Sequence, residues 1–426
     1  MNFDLMRSLL IDRALRGELF SNVTSVEAEG KSLEEEQTTP FTIPNHWQWK
    51  RVADCVQFNP KVIQDDAVEV SFIPMADVEP GFVDHCSTRQ AKPWAKVKKG
   101  FSRFQEGDLL VAKITPCFQN RKSCVAKSLI NGTGAGSTEF HVMRCVSGVD
   151  AKFLLYFFKS EYFIRYGVNH FNGTVGQQRV GAQDIKDCLI PVPSVEEQVR
   201  IVAKLEDAFA EIDRAEKAYE ELQTLAGVLR GQILQEAIQG KLVPQLAAEG
   251  VVEQIGAAPE EVPFEIPESW KWMQFKRTCS SLDGKRIPLK KDDRAKREKR
   301  YPYYGATGVI DFVDDYIFDG VFLLIGEDGA NLLSRSKDNA FIASGKIWVN
   351  NHAHVFEENG VADLRYLALM INATSLNPYV TGSAQPKLTQ KNLYSIPVPI
   401  PPVKEQVRIV AKVEELLTQV AALSTR

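Results

Sequence analysis

Glu197-Gln198-Val199-Arg200-Ile201-Val202-Ala203-Lys204 returns unchanged as Glu405-Gln406-Val407-Arg408-Ile409-Val410-Ala411-Lys412, an offset of 208 residues (405 − 197). Eight identical residues at that distance mark an internal duplication, and both copies open an apolar helical seam. The first seam runs through Val195, Val199, Val202, Phe209, Ile212, Tyr219, Leu222, Ala226, Leu229 and Ile233, with Glu, Lys and Arg between them. The second runs through Val403, Val407, Val410, Val413, Leu417, Val420 and Leu423. Pro193-Ser194 and Pro401-Pro402 stand where a helix would start. A helix so long and so amphipathic needs a partner surface. A lone seam of this kind belongs to a core or a homodimeric coiled coil, whereas the duplication favours antiparallel pairing within one chain.

Working outward, Ile43-Pro44-Asn45-His46-Trp47-Gln48-Trp49 recurs as Ile266-Pro267-Glu268-Ser269-Trp270-Lys271-Trp272, now with an offset of 223 (270 − 47). The same shift carries Ala14, Gly17 and Leu19 onto Ala237, Gly240 and Leu242. Each copy therefore reads as a helix end, a polar linker, Trp-x-Trp, a long variable body, a Pro-rich exit and another helix. The two offsets differ by 15 (223 − 208), so the first body is longer by that much, and no convincing identity connects the two bodies. The tail 413–426 and the head 1–7 together nearly match the middle connector 205–230 in length. That spacing predicts a closed pseudo-twofold molecule cut within one helical arm. The expected organisation is a helix over 1–20 packing with the C-terminal arm, a first body over 21–190, a central helical spacer over 191–243, a second body over 244–400 and a C-terminal helix over 401–426. The fold class is α/β (α+β) in two bodies separated by long antiparallel coiled-coil helices. Strands are expected over 108–114, 321–325 and 346–349, and short helices over 152–160 and 363–370.

At 426 residues, 44% hydrophobic and 25% charged, the chain has the composition of a soluble protein with room for the two domains the repeat requires. No run of eighteen apolar residues occurs, and Asp4 and Arg7 interrupt the N-terminus where a signal peptide would be apolar, so a cytoplasmic location is expected. Seven cysteines without a Cys-x-x-Cys pair indicate neither a disulfide framework nor a zinc knuckle. The net charge of −4 hides an uneven distribution. Residues 44–190 hold 19 Lys and Arg against 14 Asp and Glu, residues 267–398 hold 18 against 15, and the remainder holds 14 against 26. The bodies are basic and the frame acidic. Lys92, Lys96, Lys98, Lys99 and Arg103 interleave with Trp94, Phe101 and Phe104. Lys285, Arg286, Lys290, Lys291, Arg294, Lys296, Arg297, Lys299 and Arg300 lead into Tyr301-Pro302-Tyr303-Tyr304. Cations mixed with aromatics suit phosphate neutralisation and contact with sugars or bases; a solvated loop or surface helix is the bland counterpart.

Catalytic constellations are absent. Gly132-Thr133-Gly134-Ala135-Gly136 is followed by a strand-like Ser137 to Val142 where a phosphate cradle would need a helix N-terminus, and so reads as a turn. His352-x-His354 lacks a third metal ligand and reads as a pair of hydrogen-bonded surface histidines. Glu327-Asp328 lacks a base or metal partner and reads as loop-shaping. No Asn-Pro-Pro-aromatic motif for amino methyl transfer is present, and no metal site is expected.

The duplicated frame, the Ile-Pro-x-x-Trp-x-Trp openings, the Pro-x-Pro exits before Glu-Gln-Val-Arg-Ile-Val, Tyr303-Tyr304-Gly305-Ala306-Thr307-Gly308 and Gly326-Glu327-Asp328-Gly329 together resemble the DNA-specificity subunit of bacterial type I restriction-modification enzymes. The resemblance spans nearly the whole chain. It implies two target-recognition domains, each reading one half of a split asymmetric site in double-stranded DNA, held apart by helices that set the spacer. It further implies a non-catalytic chain that directs two modification subunits to methylate adenine and motor-nuclease restriction subunits to cleave. No cofactor is expected on this chain; methyl donor, ATP and Mg belong to the partners.

Candidate DNA contacts are Lys96, Lys98, Lys99, Lys113, Arg121, Lys122, Gln177, Gln178 and Arg179 in the first body. In the second they are Lys285, Arg286, Lys290, Lys291, Arg294, Arg297, Tyr303, Tyr304, Lys346, Asn350, Asn351, His352, Gln385 and Lys387. Gln and Arg suit bidentate base readout. Val199, Val202, Phe209, Ile212, Val407, Val410 and Val413 are the candidate partner-binding positions on the helices. A spacer helix of about 36 residues would span roughly 54 Å, one to one and a half turns of DNA. Two other classes fit less of the pattern: a coiled-coil scaffold that binds only proteins through its acidic arms, and a stand-alone nuclease.

Overall fold

The computed structural model describes residues 1–19, 39–86, 90–174, 176–382 and 384–425; the polar linker expected after the first helix lies mostly outside them. The chain forms two compact mixed α/β units, Met1–Ala218 and Tyr219–Arg426. Their boundary falls inside one continuous helix, Val195–Ile238, of 44 residues. That is about 66 Å of helix, longer than the spacing of the seam suggested. It runs on through Gly227 and Gly231, each exposed and each costing up to about 1 kcal/mol relative to alanine.

The repeated motifs build the same frame in each unit. In the first unit the opening helix Phe3–Leu15 is capped by the Asn2 side chain, which accepts from the Leu5 amide. It ends at Gly17, whose φ is +75°. Gly17 N–H donates to Ala14 and Glu18 N–H to Arg13, closing the last turn as a left-handed glycine cap does. In the second unit the connector helix ends the same way at Gly240, φ +71°, with Gly240 donating to Ala237 and Lys241 to Glu236. A Cβ on Gly17 would stand 2.4 Å from Pro44 Cγ, and on Gly240 2.5 Å from Pro267 Cγ, with Trp47 and Trp270 beside them. The Gly, Pro and Trp of the repeat are thus one clasp. Beyond it, Gln48–Arg51 pairs antiparallel with Leu189–Val192 and sets Trp49 opposite Pro191. Lys271–Gln274 pairs likewise with Pro397–Ile400 and sets Trp272 opposite Pro399. Trp-x-Trp and Pro-x-Pro are the two strands of one small ribbon closing each body.

The glutamine of the repeat locks body to helix. Gln198 is fully buried; its Oε1 accepts from the Asp150 amide at 2.8 Å, and its Nε2 donates to the carbonyls of Gly148 at 3.1 Å and Pro193 at 3.0 Å. Gln406 does the same with Asp363, Val361 and Pro401. Asp150 and Asp363 are in turn the N-caps of helices Ala151–Lys159 and Leu364–Ala373, which confirm the two short helices expected from the sequence.

The bodies share more than their sequences show. The first holds two four-stranded sheets: Val56–Phe58, Phe140–Cys145, Leu109–Ala112, Ser123–Val125 in that order, and Gln90–Pro93, Glu69–Ile73, Thr133–Gly136, Ser102–Gln105. The second holds one six-stranded sheet, Ser280–Ser281, Ala353–Glu357, Phe318–Gly326, Ala340–Val349, Tyr301–Gly305, Gly308–Val313. Within them Val111 lies opposite His141, and Ile325 opposite His354. Phe58 lies opposite Met143 as Ser281 lies opposite Phe356. The imidazole of His141 meets the Val180 carbonyl at 3.1 Å, and that of His354 meets the Leu388 carbonyl at 2.9 Å. Offsets between these equivalent residues step from 223 (281 − 58) through 214 (325 − 111) and 213 (354 − 141) to 208 (388 − 180). The shorter second body loses its residues in three places around a common skeleton. Backbone hydrogen bonds hold that skeleton, so side-chain identity between the bodies was never required.

Gly132-Thr133-Gly134-Ala135-Gly136, expected as a turn, is mostly the buried strand Thr133–Gly136, paired on both sides. Its glycines admit close neighbours: a Cβ on Gly134 would meet Phe104 at 2.2 Å.

The seams pack within each unit. In the second, Ile233, Leu234, Ala237 and Ile238 share one core cluster with Ile409, Val410, Val413 and Val420. Gln245 touches both the Gly240 carbonyl and Glu405, so the end of one helix meets the start of the other, antiparallel. In the first unit the opening helix lies along the first half of the connector, where Arg7 bonds Asp213 at 2.6 Å and Glu216 at 2.5 Å. No helix among the described residues is long and apolar enough to cross a membrane.

Lys159 is fully buried and donates to the carbonyls of Gly81 at 2.9 Å and Arg121 at 3.0 Å. Burial pushes its pKa down to about 8 from 10.5. Between those two values the unfolded chain holds the proton that the folded chain has released, so stability rises with pH there. The stability of wild type minus that of Lys159→Met, followed by urea titration, is expected to grow from pH 8 to pH 10; a flat difference would show the amine to be solvated.

Candidate nucleic-acid interface

Both bodies end in the same junction. In the first, Ile114 forms a β-bridge to Arg179, with Lys113 N–H donating to Glu139 and Val180 N–H donating to Lys113. This gathers Lys113, Gln177, Gln178 and Arg179 at one place. Gln177 is exposed; Lys113, Gln178 and Arg179 are half-buried. An open cleft of about 520 Å³ lies beside them, lined among others by Asn59, Phe101, Arg103, Lys113, His141 and Arg179. Arg179 is held by Glu139 through Nε at 3.0 Å and Nη2 at 2.8 Å, and the guanidinium keeps the Glu139 carboxyl below its ordinary range. His141 is buried, and burial lowers its pKa, leaving the cleft floor neutral under a cationic rim.

In the second unit the equivalent bridge joins Asp328 to Lys387, 208 residues beyond Arg179. Lys387 reaches Glu327 at 3.2 Å. Glu327 also takes Arg286 at 2.7 Å, and Asp328 takes His352 at 2.7 Å. Burial works to raise Glu327, but Arg286, His354 and Lys387 together bring it below its ordinary value. Glu327-Asp328 therefore anchors an ion-pair cluster rather than merely shaping a loop. His352 is exposed as expected, but His354 is buried between Asp283 at 2.6 Å and the Leu388 carbonyl. The strand begins only at Ala353, so His352 sits on the turn before it and His354 on the inward face, and the two do not share the one strand face that would have made them a ligand pair. Asn350 is buried too, its Oδ1 accepting from the His352 amide, while Asn351 and Gln385 stay exposed.

The basic clusters separate into free and committed cations. Lys96, Lys99, Lys285, Lys290 and Lys291 are exposed, and Lys346 lies over the Tyr316 ring at 4.7 Å. Lys98 pairs with Asp66 at 2.6 Å at the surface. Arg121 is bound to Glu161 and the Lys159 carbonyl, and Lys122 to the Met75 carbonyl. These two tie the body together instead of facing solvent. Arg286 is equally committed to Glu327 and the Ala353 carbonyl. Arg294 bonds Asp311 and stacks on Tyr303, and Arg297 bonds Asp314 and stacks on Trp348. Tyr303 is buried with its hydroxyl accepting from the Leu289 amide, and Tyr304 packs on Phe341. The run from Lys290 to Tyr304 is thus half scaffold: Arg294, Arg297, Lys299, Tyr303 and Tyr304 fold the segment, while Lys290 and Lys291 are exposed.

On the helices, Val202, Phe209, Ile212, Val410 and Val413 are buried and only Val199 and Val407 are exposed. The five buried positions fill the core, Phe209 against Phe82 and Tyr156, and do not offer a docking surface. Sequence reasoning missed Asn59, which lines the cleft from the bend after Val56–Phe58, and Glu139, which holds Arg179 from the turn before Phe140–Cys145; both come from segments distant in sequence and carry no local signature.

The family model for the type I restriction modification DNA specificity domain matches twice, over residues 44–224 and 267–425. The chain is 30% identical over 370 residues to the EcoAI specificity subunit of Escherichia coli, a match covering 66% of this chain and 63% of that subunit, a little under two thirds of its length. With the EcoEI specificity subunit of the same organism it shares 24% identity, covering 99% of this chain and 90% of the relative. Among solved structures, the HsdS subunit from Thermoanaerobacter tengcongensis matches with a TM-score of 0.59 at 18% identity over 90% of this chain and 92% of that one. A chain from a structure of a type I restriction-modification complex matches with a TM-score of 0.70 at 17% identity, over 91% and 94%. At those identities the structural likeness is one of fold. With two matched domains that take in most of its length, each carrying the same clasp, ribbon and junction, this chain belongs to the type I restriction-modification DNA-specificity family.

Proposed function

We propose that the chain acts as the DNA-specificity subunit of a type I restriction-modification system. Each unit reads one half of a split asymmetric site in double-stranded DNA. The observation that carries this reading is the pair of equivalent junctions, each presenting a cation and a polar loop on a body of its own. One frame with two unlike reading heads suits two unlike half-sites, and the continuous helix through the boundary suits a fixed spacer between them. The chain itself is non-catalytic in this reading. Adenine methylation and cleavage, with methyl donor, ATP and Mg, belong to modification and restriction subunits, and exposed lysines such as Lys96, Lys99, Lys290 and Lys291 neutralise phosphates.

The test is single-molecule methylome sequencing of the native host with and without this chain. Loss of methyladenine at one split asymmetric motif is expected, and it reads out both half-sites and the spacer. An unchanged methylome in cells that express the chain would overturn the reading and favour a protein-binding scaffold.

A further inference from the structure

Arg179 and Lys387 occupy equivalent bridges, yet they offer DNA different chemistry. The Arg179 guanidinium spends Nε–H and one Nη2–H on the two oxygens of Glu139, and one Nη1–H on the Gln177 carbonyl at 3.0 Å. Five N–H groups less those three leave one on Nη1 and one on Nη2. Its side chain is 43% exposed, and the group stands at the rim of a cleft with Arg103 and Lys113. Two donors match an edge with two adjacent acceptors. In the major groove only guanine, through O6 and N7, presents one; adenine sets a donor beside N7, cytosine presents a donor, and thymine a single acceptor. Lys387 carries a compact ammonium, a point charge without the planar fork, that pairs with Glu327 at 3.2 Å while its side chain stays 51% exposed.

Resting on the specificity-subunit reading, we propose that Arg179 reads a guanine in the half-site of the first unit, with Glu139 as its positioning residue, while Lys387 at the equivalent place in the second unit contacts backbone phosphate. Glu139 fixes the plane of the fork before DNA arrives, so the contact forms without freezing a free side chain. The two heads therefore differ in what the same bridge contributes to selectivity.

The experiment replaces the chromosomal gene by Arg179→Lys, Glu139→Gln or Lys387→Met and sequences the methylome of the native host. Arg179→Lys is expected to make one G·C pair of one half-site degenerate, with discrimination there falling by roughly 5- to 150-fold and the other half-site unchanged. Glu139→Gln is expected to relax the same pair, an effect that loss of a merely structural ion pair would not confine to one base position. Lys387→Met is expected to lower methylation at all sites without altering the motif. Retention of every motif position in Arg179→Lys, or uniform weakening at all sites with an unshifted melting temperature of the purified complex, would overturn the proposal, because uniform weakening is the signature of a phosphate contact. A wild-type chain that directs no split motif would instead overturn the specificity-subunit reading itself. Should Arg179→Lys lower the melting temperature, binding of wild-type complex to duplexes carrying 7-deazaguanine at each guanine of the motif decides the matter. A loss at one position supports the contact and no loss at any position overturns it.

Discussion

Gln406→Leu is expected to destabilise the second unit by roughly 3–5 kcal/mol, since buried polar groups left without partners cost about 1–3 kcal/mol each. Leucine fits the volume, but it would strand the Asp363 amide and the carbonyls of Pro401 and Val361, all of which Gln406 satisfies from a fully buried position. The bond to Val361, at 3.4 Å, is the weakest and contributes least. The damage also spreads, because Asp363 caps the helix Leu364–Ala373 that packs against the sheet. Urea unfolding of wild type and variant checks the effect. A loss under about 1 kcal/mol would mean that water enters and takes over the three groups.

Gly240→Ala is expected to cost roughly 2–4 kcal/mol, combining the penalty of a left-handed conformation for a residue with a Cβ with overpacking. The added carbon would sit 2.5 Å from Pro267 Cγ and 3.2 Å from the Trp270 ring, so the clasp must open. Gly227→Ala is the matched control with the opposite sign. That glycine lies exposed within the same helix with nothing within 4 Å of a Cβ, and alanine there is expected to stabilise by up to about 1 kcal/mol. Thermal unfolding of the two variants should move in opposite directions.

The repeat disclosed the frame, because Gly17 and Gly240 take a positive φ in close contact with Pro44 and Pro267, with Trp47 and Trp270 beside them, and that local geometry recurs only where the residue types recur. Helical periodicity located the seams and alternation located the strands. The common skeleton of the two bodies stayed hidden, because His141 and His354 are related through backbone partners rather than through shared neighbours in sequence. Charge counting correctly flagged basic segments, but it could not separate Lys290 from Arg294. Whether a cation is free depends on an aspartate such as Asp311 arriving from another strand, where Lys299 and the Phe312 amide hold its carboxyl down to about 2. The helix positions misled in the same way: apolar residues at seam spacing are the ones most completely consumed by the protein's own core.

The buried glutamine has a further bearing on how such a chain can change over generations. Every group it grips is a backbone amide or carbonyl, so the joint inspects the path of the main chain and is indifferent to the residues that follow. A foreign body inserted between the Trp-x-Trp strand and the Pro-x-Pro strand, with one carbonyl and one capped helix start in register, would meet the same joint and would need to match the frame only where side chains such as Phe209 and Val410 pack into it. New sequence preferences could then be acquired whole, by transplanting a segment, instead of residue by residue through intermediates that recognise nothing.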